Sequence, residues 1–212
     1  MQFERFTPLS RLSIVAHAFT LRTAEDTKSS GYEERVIDSL GFSSKSFASA
    51  EQPHGAEVAT ITAPGRQRIE RVDALITATR DLPLLVRCAD CAAIFIVDPI
   101  RPAIGLIHSG KRGTQANIVS RTVARMQADL ATNPADCLAL ISPSIGPCHY
   151  EMDLWETIEL QLQKSGIPEI HNPRVCTACH LDRYFSYRAE KGHTGRMFAV
   201  LMLNPTCLNA LP

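Results

Sequence analysis

Two segments of the 212-residue chain carry side chains whose types and spacing suit metal chemistry: Cys91 in CADCAAIFIVD and His108 in AIGLIHSGKRG. A thiolate and an imidazole both bind zinc, at about 2.3 Å and about 2.1 Å. The two segments read as apolar strands joined by the short turn DPIR, in which Pro99 fixes one φ. That pattern predicts a β-hairpin, and a turn centred between Pro99 and Ile100 sets Cys91 directly opposite His108. Opposed residues have Cα atoms about 4.5 to 5.5 Å apart, close enough to share one ion. A slip of one residue would send one side chain to the other face of the sheet.

A third donor must come from elsewhere in the chain, and His54 in EQPHGAEV, ahead of the strand-like EVATIT, is the candidate. A lone His before Gly equally suits a turn or a core position. In HSGKRGT, Gly110 and Gly113 surround Lys111 and Arg112, and Thr114 is placed to cap a following helix. Such a start binds anions through free N–H groups and the helix dipole; it is otherwise a solvated glycine-rich turn. Cys88 and Cys91 form one CxxC, and Cys176 and Cys179 another. Two such pairs can build a structural zinc site, but CADC runs straight into a buried strand, and a redox CxxC would open a helix.

The elements that must position these residues follow from hydrophobic periodicity. Strand-like runs occur at LSIVAHAF, EVATIT, DALITA, LPLLVR, AAIFIVD, AIGLIH, CLALIS and RMFAVLML. Helical spacing occurs in YEERVIDSLG, in residues 114–131, and in DLWETIELQLQKSG. Many strands beside three helices predict a layered α/β domain. No repeat or linker divides the chain, and residues 20–32 are its most loop-like stretch, a flap or a connector.

Lys and Arg total 22, as do Asp and Glu, so no broad basic field drives binding to nucleic acid. The N-terminal residues contain no apolar run suited to a signal peptide or a membrane span. Seven cysteines, an odd number, argue for reduced thiols and a cytoplasmic protein. A monomer is expected.

The motifs QPHG (52–55), VDALIT (72–77), ADC (89–91), HSGKRG (108–113), IGPCHYE (145–151), CT (176–177), YFSYR (184–188) and TGR (194–196) occur in this order. In these the chain resembles the YfiH-like laccase-domain proteins, also called the multicopper polyphenol oxidase domain family. The resemblance implies an α+β fold over residues 1–212: a single domain of two packed mixed sheets flanked by helices in α/β/β/α layers, similar to the catalytic domain of cytotoxic necrotizing factor toxins. It implies metal binding and catalysis at His54, Cys91 and His108, with Zn2+ as cofactor and copper as the alternative.

The activity it implies is phosphorolysis of adenosine, inosine, guanosine and methylthioadenosine, with deamination of adenosine. The partners are then small molecules, a purine nucleoside and phosphate. Zinc with three protein ligands would make bound water acidic enough to attack C6 of adenosine. Phosphate would sit among Arg22, Arg112 and Arg188. Asp73 and Asp90 are the motif-borne carboxylates, either managing protons or capping turns. The alternatives are a copper-dependent polyphenol oxidase, a cysteine hydrolase with Cys91 as nucleophile and His108 as base, and a metal-binding relative with altered catalysis. Two departures touch the substrate side: Lys111 stands where the family has Trp, and HAFTLR (17–22) lacks the glycine-rich loop that follows it in the family.

Overall fold

The computed structural model describes residues 1–205, so the last seven residues of the expected domain lie outside the described residues. In chain order the elements are β1 (Phe3–Glu4), α1 (Thr7–Ser10), β2 (Val15–Thr20), α2 (Tyr32–Ser39), β3 (Phe47–Ala50), β4 (Val58–Thr60), β5 (Arg66–Ile69) and β6 (Ala74–Thr77). They continue with β7 (Leu84–Cys88), β8 (Ala92–Asp98), β9 (Ala103–Ser109), α3 (Lys111–Gln115), α4 (Ile118–Leu130), β10 (Leu138–Ile141), α5 (Leu154–Lys164), β11 (Glu169–His171) and β12 (Met197–Leu203).

The strands form two six-stranded sheets, ordered β1-β2-β12-β7-β3-β5 and β11-β10-β8-β9-β6-β4. Both are mixed: β3 runs parallel to β5 and β7 in the first, β10 to β11 and β4 to β6 in the second, and the other pairs are antiparallel.

Alternation along the central strands builds the layers. On β12, Met197, Ala199 and Leu201 enter the core between the sheets, while Phe198 and Val200 pack on Tyr32, Val36 and Ile37 of α2. On β8, Ala93, Phe95 and Val97 face the same inter-sheet core, while Ala92, Ile94 and Ile96 join the cluster formed with α4 and α5. Burial on both faces is why these strands read as unbroken apolar runs. The result is the expected α/β/β/α arrangement, and among the described residues no helix is long and apolar enough to cross a membrane.

The chain passes from the first sheet to the second at residues 51–57, 70–73 and 89–91. These crossovers carry His54, Asp73 and Cys91. The end of β9 carries His108.

Three expectations are corrected in detail. The β8–β9 hairpin pairs Asp98 with Ala103 and Ala93 with His108, so Cys91 is not opposite His108. The side chain of Asp98 moves the turn: its Oδ1 accepts the N–H groups of Ile100 and Arg101, both at 2.9 Å, and encloses residues 99–102 as a longer loop. The shift from the expected register is even, which keeps Cys91 and His108 on one face.

The helix expected over 114–131 is two helices, parted at Asn117 in the left-handed conformation (φ 59°). Gln161 of α5 braces the break, donating to the Thr114 carbonyl at 2.7 Å. Thr114 lies inside α3 and does not cap it; its hydroxyl pairs with that of Ser109 at 2.7 Å. Strands β3 and β5 escaped the periodicity reading because FASA has a single large apolar residue in four, and RQRI is an edge strand with charges facing out.

Candidate metal centre and substrate cleft

Gly110 follows β9 opposite Cys91 and is held there by space, not by φ. Its backbone (φ −100°) suits any residue, but a Cβ would lie 2.6 Å from Cys91 Sγ and 3.5 Å from His54 Cδ2. The missing side chain lets the Cys91 sulfur lean diagonally toward His108.

His54 arrives in a strained conformation, φ 64°, and Asp90, just before Cys91, sits at φ 80°. Such positive values cost a non-glycine residue about 1 kcal/mol or more and persist only where the surroundings enforce them. For His54 the enforcement comes from Asp73. This carboxylate accepts the N–H of His54 on Oδ1 at 3.0 Å and the N–H of Gly55 on Oδ2 at 2.6 Å. Asp73 Oδ1 also meets His108 Nδ1 at 2.8 Å, and its carbonyl accepts the His108 N–H at 2.8 Å. Asp73 is fully buried. One carboxylate therefore orients the His108 imidazole, leaving its other nitrogen turned outward, and pins the backbone turn that carries His54.

The rings of His54 and His108 meet edge to face at 4.8 Å. One donor atom each from His54, Cys91 and His108 lies within 4.8 Å of the others. Burial opposes the Cys91 thiolate, but the charge of His108 and hydrogen bonds from His108 and His54 outweigh it, bringing the thiol down to about 6. His108 is opposed by burial too, yet Cys91 and Asp73 raise it to about 9. The pair favours its charged forms: the thiolate is the form a metal binds, while the His108 imidazolium must release its proton to become a ligand. Two imidazoles and a thiolate, with one side open to solvent, can hold a metal ion and leave it a free coordination position.

This centre lines a cleft of about 1090 Å³. Nine Lys and Arg side chains line it against four carboxylates, giving the cleft an anion-attracting character that the neutral whole-chain charge conceals. Tyr150 and Tyr187 add aromatic surface. Residues 27–31 of the loop-like stretch form part of the wall, and Thr27 is fixed there by accepting the Arg196 N–H at 2.7 Å.

Arg112 and Arg188 line the cleft, and Arg22 does not. Arg112 reaches the Pro53 carbonyl at 3.1 Å. Arg188 lies over the Tyr150 ring at 4.8 Å and touches Glu151 at 3.2 Å. Arg22 lines a neighbouring depression, where it is ion-paired with Glu190 at 2.6 Å and stacked on Phe185. Lys111, at the family's Trp position, lines the cleft and pairs with Glu151 at 2.9 Å.

The sequence reading missed Arg68, Arg87 and Arg196, which line the cleft close enough for Arg68 and Arg196 to depress the Arg87 pKa beyond the effect of its burial. They come from three separate strands or strand edges; Arg196 closes the TGR motif but nothing local gave it a role, and Arg68 and Arg87 lie in no motif. Asp90 is a clamp: it accepts the Thr177 hydroxyl at 2.7 Å and the Arg188 N–H at 2.6 Å. Cys88 does not join the CTAC pair; it is buried on β7, and burial with the neighbouring Cys91 pushes its thiol well up.

Comparison with known proteins gives the family and the fold. Residues 22–153 and 150–204 match the family described as multi-copper polyphenol oxidoreductase laccase. A protein named purine nucleoside phosphorylase YlmD from Geobacillus stearothermophilus is 30% identical over 207 residues, covering 79% of this chain and 76% of its own length. A purine nucleoside phosphorylase from Bacteroides thetaiotaomicron is 31% identical over 181 residues, covering 69% and 67%. The crystal structure of YlmD from Geobacillus stearothermophilus shares the fold with a TM-score of 0.84 at 24% identity, over 92% of this chain and 93% of that one. Bacillus licheniformis YfiH gives the same score over 90% and 93%.

Proposed function

Because the chain belongs to the multi-copper polyphenol oxidoreductase laccase family, we propose that it is a zinc-dependent purine nucleoside phosphorylase of the cytoplasm that also deaminates adenosine. The observation that carries this reading is the position of the His54, Cys91 and His108 donors on the wall of a basic cleft large enough for a nucleoside and phosphate together. The names of the relatives support the phosphorylase part of this reading. Six free thiols among the described residues suit a reducing compartment.

Zinc held by the three donors would supply Lewis-acid polarisation of a bound oxygen. The protein's own groups do the rest. Asp73 holds the His108 imidazole and the backbone of His54 in place. Arg112, Arg188 and the Arg68, Arg87 and Arg196 group receive phosphate. Tyr150 and Tyr187 offer flat apolar surface to the purine. A phosphate oxygen forms a bond to C1 of the ribose as the glycosidic bond breaks. The purine leaves with the bonding pair and takes up a proton on nitrogen, and ribose 1-phosphate is the co-product. In deamination, water adds at C6 and ammonia departs.

The donor count weighs against a polyphenol oxidase, since a laccase needs several coppers and many histidines, and this centre has two. The cysteine hydrolase draws on one specific observation, the Cys91 thiol lowered to about 6 beside His108. A thiolate bound to zinc is not a free nucleophile, so metal content separates the two readings.

The test is incubation with adenosine, with and without phosphate, following adenine, inosine and hypoxanthine. Phosphate-dependent adenine formation, lost on chelation and restored by zinc, is expected. Absence of all three products refutes the nucleoside reading. Copper-dependent oxidation of a phenol, lost in His54→Ala and His108→Ala, would establish the oxidase instead.

A further inference from the structure

A second group of donors lies outside the centre described above. Cys148 and His149 follow β10 in the motif IGPCHYE, and Cys176 and Cys179 bracket the 3-10 turn Thr177–Cys179. One donor atom of each lies within 4.8 Å of the other three. His149 Nδ1 is 3.3 Å from Cys148 Sγ, 3.5 Å from Cys179 Sγ and 3.8 Å from Cys176 Sγ, and the Cys148 and Cys179 sulfurs are 3.6 Å apart.

These separations match a tetrahedron around zinc. Zn–S of about 2.3 Å and Zn–N of about 2.05 Å at tetrahedral angles give edges of about 3.8 Å between sulfurs and about 3.6 Å between sulfur and nitrogen. The backbone is shaped for the same purpose. Cys179 donates its N–H to the Cys176 carbonyl at 3.2 Å, closing a CxxC turn, and Gly146 donates its N–H to Cys176 Sγ at 3.3 Å. An N–H directed at sulfur favours the thiolate that a metal needs. The three cysteines are free thiols.

We propose that Cys148, His149, Cys176 and Cys179 form a second, structural zinc site. Its four donors fill a tetrahedral shell, whereas the three at His54, Cys91 and His108 leave a position open. The backbone already links the two loops, with Ser144 N–H donating to the Val175 carbonyl and Thr177 N–H to the Ser144 carbonyl, both at 3.1 Å. The ion closes the solvent side of that junction, where Cys148, His149 and Cys179 are exposed. The same loops carry Ile145 and Tyr150, and lead to Tyr187 and Arg188, in the cleft wall. The second ion therefore acts by positioning that wall.

The test is zinc content of the full-length protein, purified under reducing conditions and dialysed, for the wild type, Cys148→Ser, Cys179→Ser, His108→Ala and the double variant His108→Ala with Cys148→Ser. Cys148 and Cys179 are exposed, so neither serine disturbs the core, and circular dichroism checks the fold. Cys148→Ser and Cys179→Ser are each expected to lose about one equivalent of zinc relative to the wild type, and His108→Ala to retain that equivalent. Cobalt in His108→Ala should give tetrahedral thiolate spectra, absent from the double variant. A zinc content unchanged by both serine substitutions, a different metal at this position, or a Cys148–Cys179 disulfide in zinc-free protein overturns the proposal.

Discussion

Asp73 Oδ1 stands 2.8 Å from His108 Nδ1, and the same carboxylate accepts the backbone N–H of His54. Burial works against its charge, yet the hydrogen bonds from His108, Gly55 and His54 hold it below the ordinary carboxylate range. Asp73→Asn keeps the shape and removes the negative charge. Zinc affinity, measured by competition with a chelating dye, is expected to fall by about 10- to 100-fold. Wild-type affinity in this variant would remove Asp73 from the centre's design.

Gly110→Ala tests the close approach to Cys91. The added methyl would sit 2.6 Å from Sγ, so the sulfur must move off the His108 diagonal. The backbone there tolerates alanine, and the expected result is loss of zinc and activity with a melting temperature close to that of zinc-free wild type. Metal analysis and thermal unfolding of the two apo proteins check this.

Arg22 and the cleft arginines are expected to separate kinetically. Arg68→Ala and Arg196→Ala should raise the KM for phosphate about tenfold, the effect of losing one charge-assisted contact. Arg22→Ala should leave that KM within about twofold and lower stability by about 1 kcal/mol through the lost Glu190 pair. Steady-state kinetics and urea unfolding of the three variants provide the comparison. A large phosphate KM effect in Arg22→Ala would return it to the binding site.

His17 gives the fold an acid sensitivity independent of the metal. Its Nε2 accepts the Phe6 N–H at 2.8 Å, and burial, with the Arg5 charge, lowers its pKa from 6.5 to about 4. The folded state thus binds the proton less well than the unfolded chain. The stability contribution is present above about pH 6.5 and is lost as pH falls toward about 4, amounting to about 3 kcal/mol. Urea unfolding of wild type and His17→Gln across this range should show a shallower pH slope in the variant. Equal slopes would assign the acid loss to other groups.

Much of the centre was readable because its residues sit in short motifs with plain chemical types. Cys91 and His108 were joined by the strand pattern, but the hairpin register was displaced because the Asp98 side chain, not Pro99, sets the turn. The face survived because the displacement was even. The role of Asp73 was hidden, since a carboxylate holding two backbone N–H groups and one imaginable only as a proton carrier look alike in sequence. The CTAC pair was weighed against Cys88 and Cys91, whereas its neighbours are Cys148 and His149; a Cys-His dipeptide far along the chain offers no spacing rule. Arg112 and Arg188 were read from their motifs, whereas the grouping of Arg68, Arg87 and Arg196 was hidden because three separate segments bring them together.

The three crossovers from the first sheet to the second hold His54, Asp73 and Cys91, so the centre lies on the seam where one sheet is joined to the other. An ion bound there by the native arrangement alone would resist any splaying of the two layers. Its affinity becomes a gauge of how tightly they close. Thinning the inter-sheet core at Phe95, away from every donor, should therefore register as weaker zinc binding.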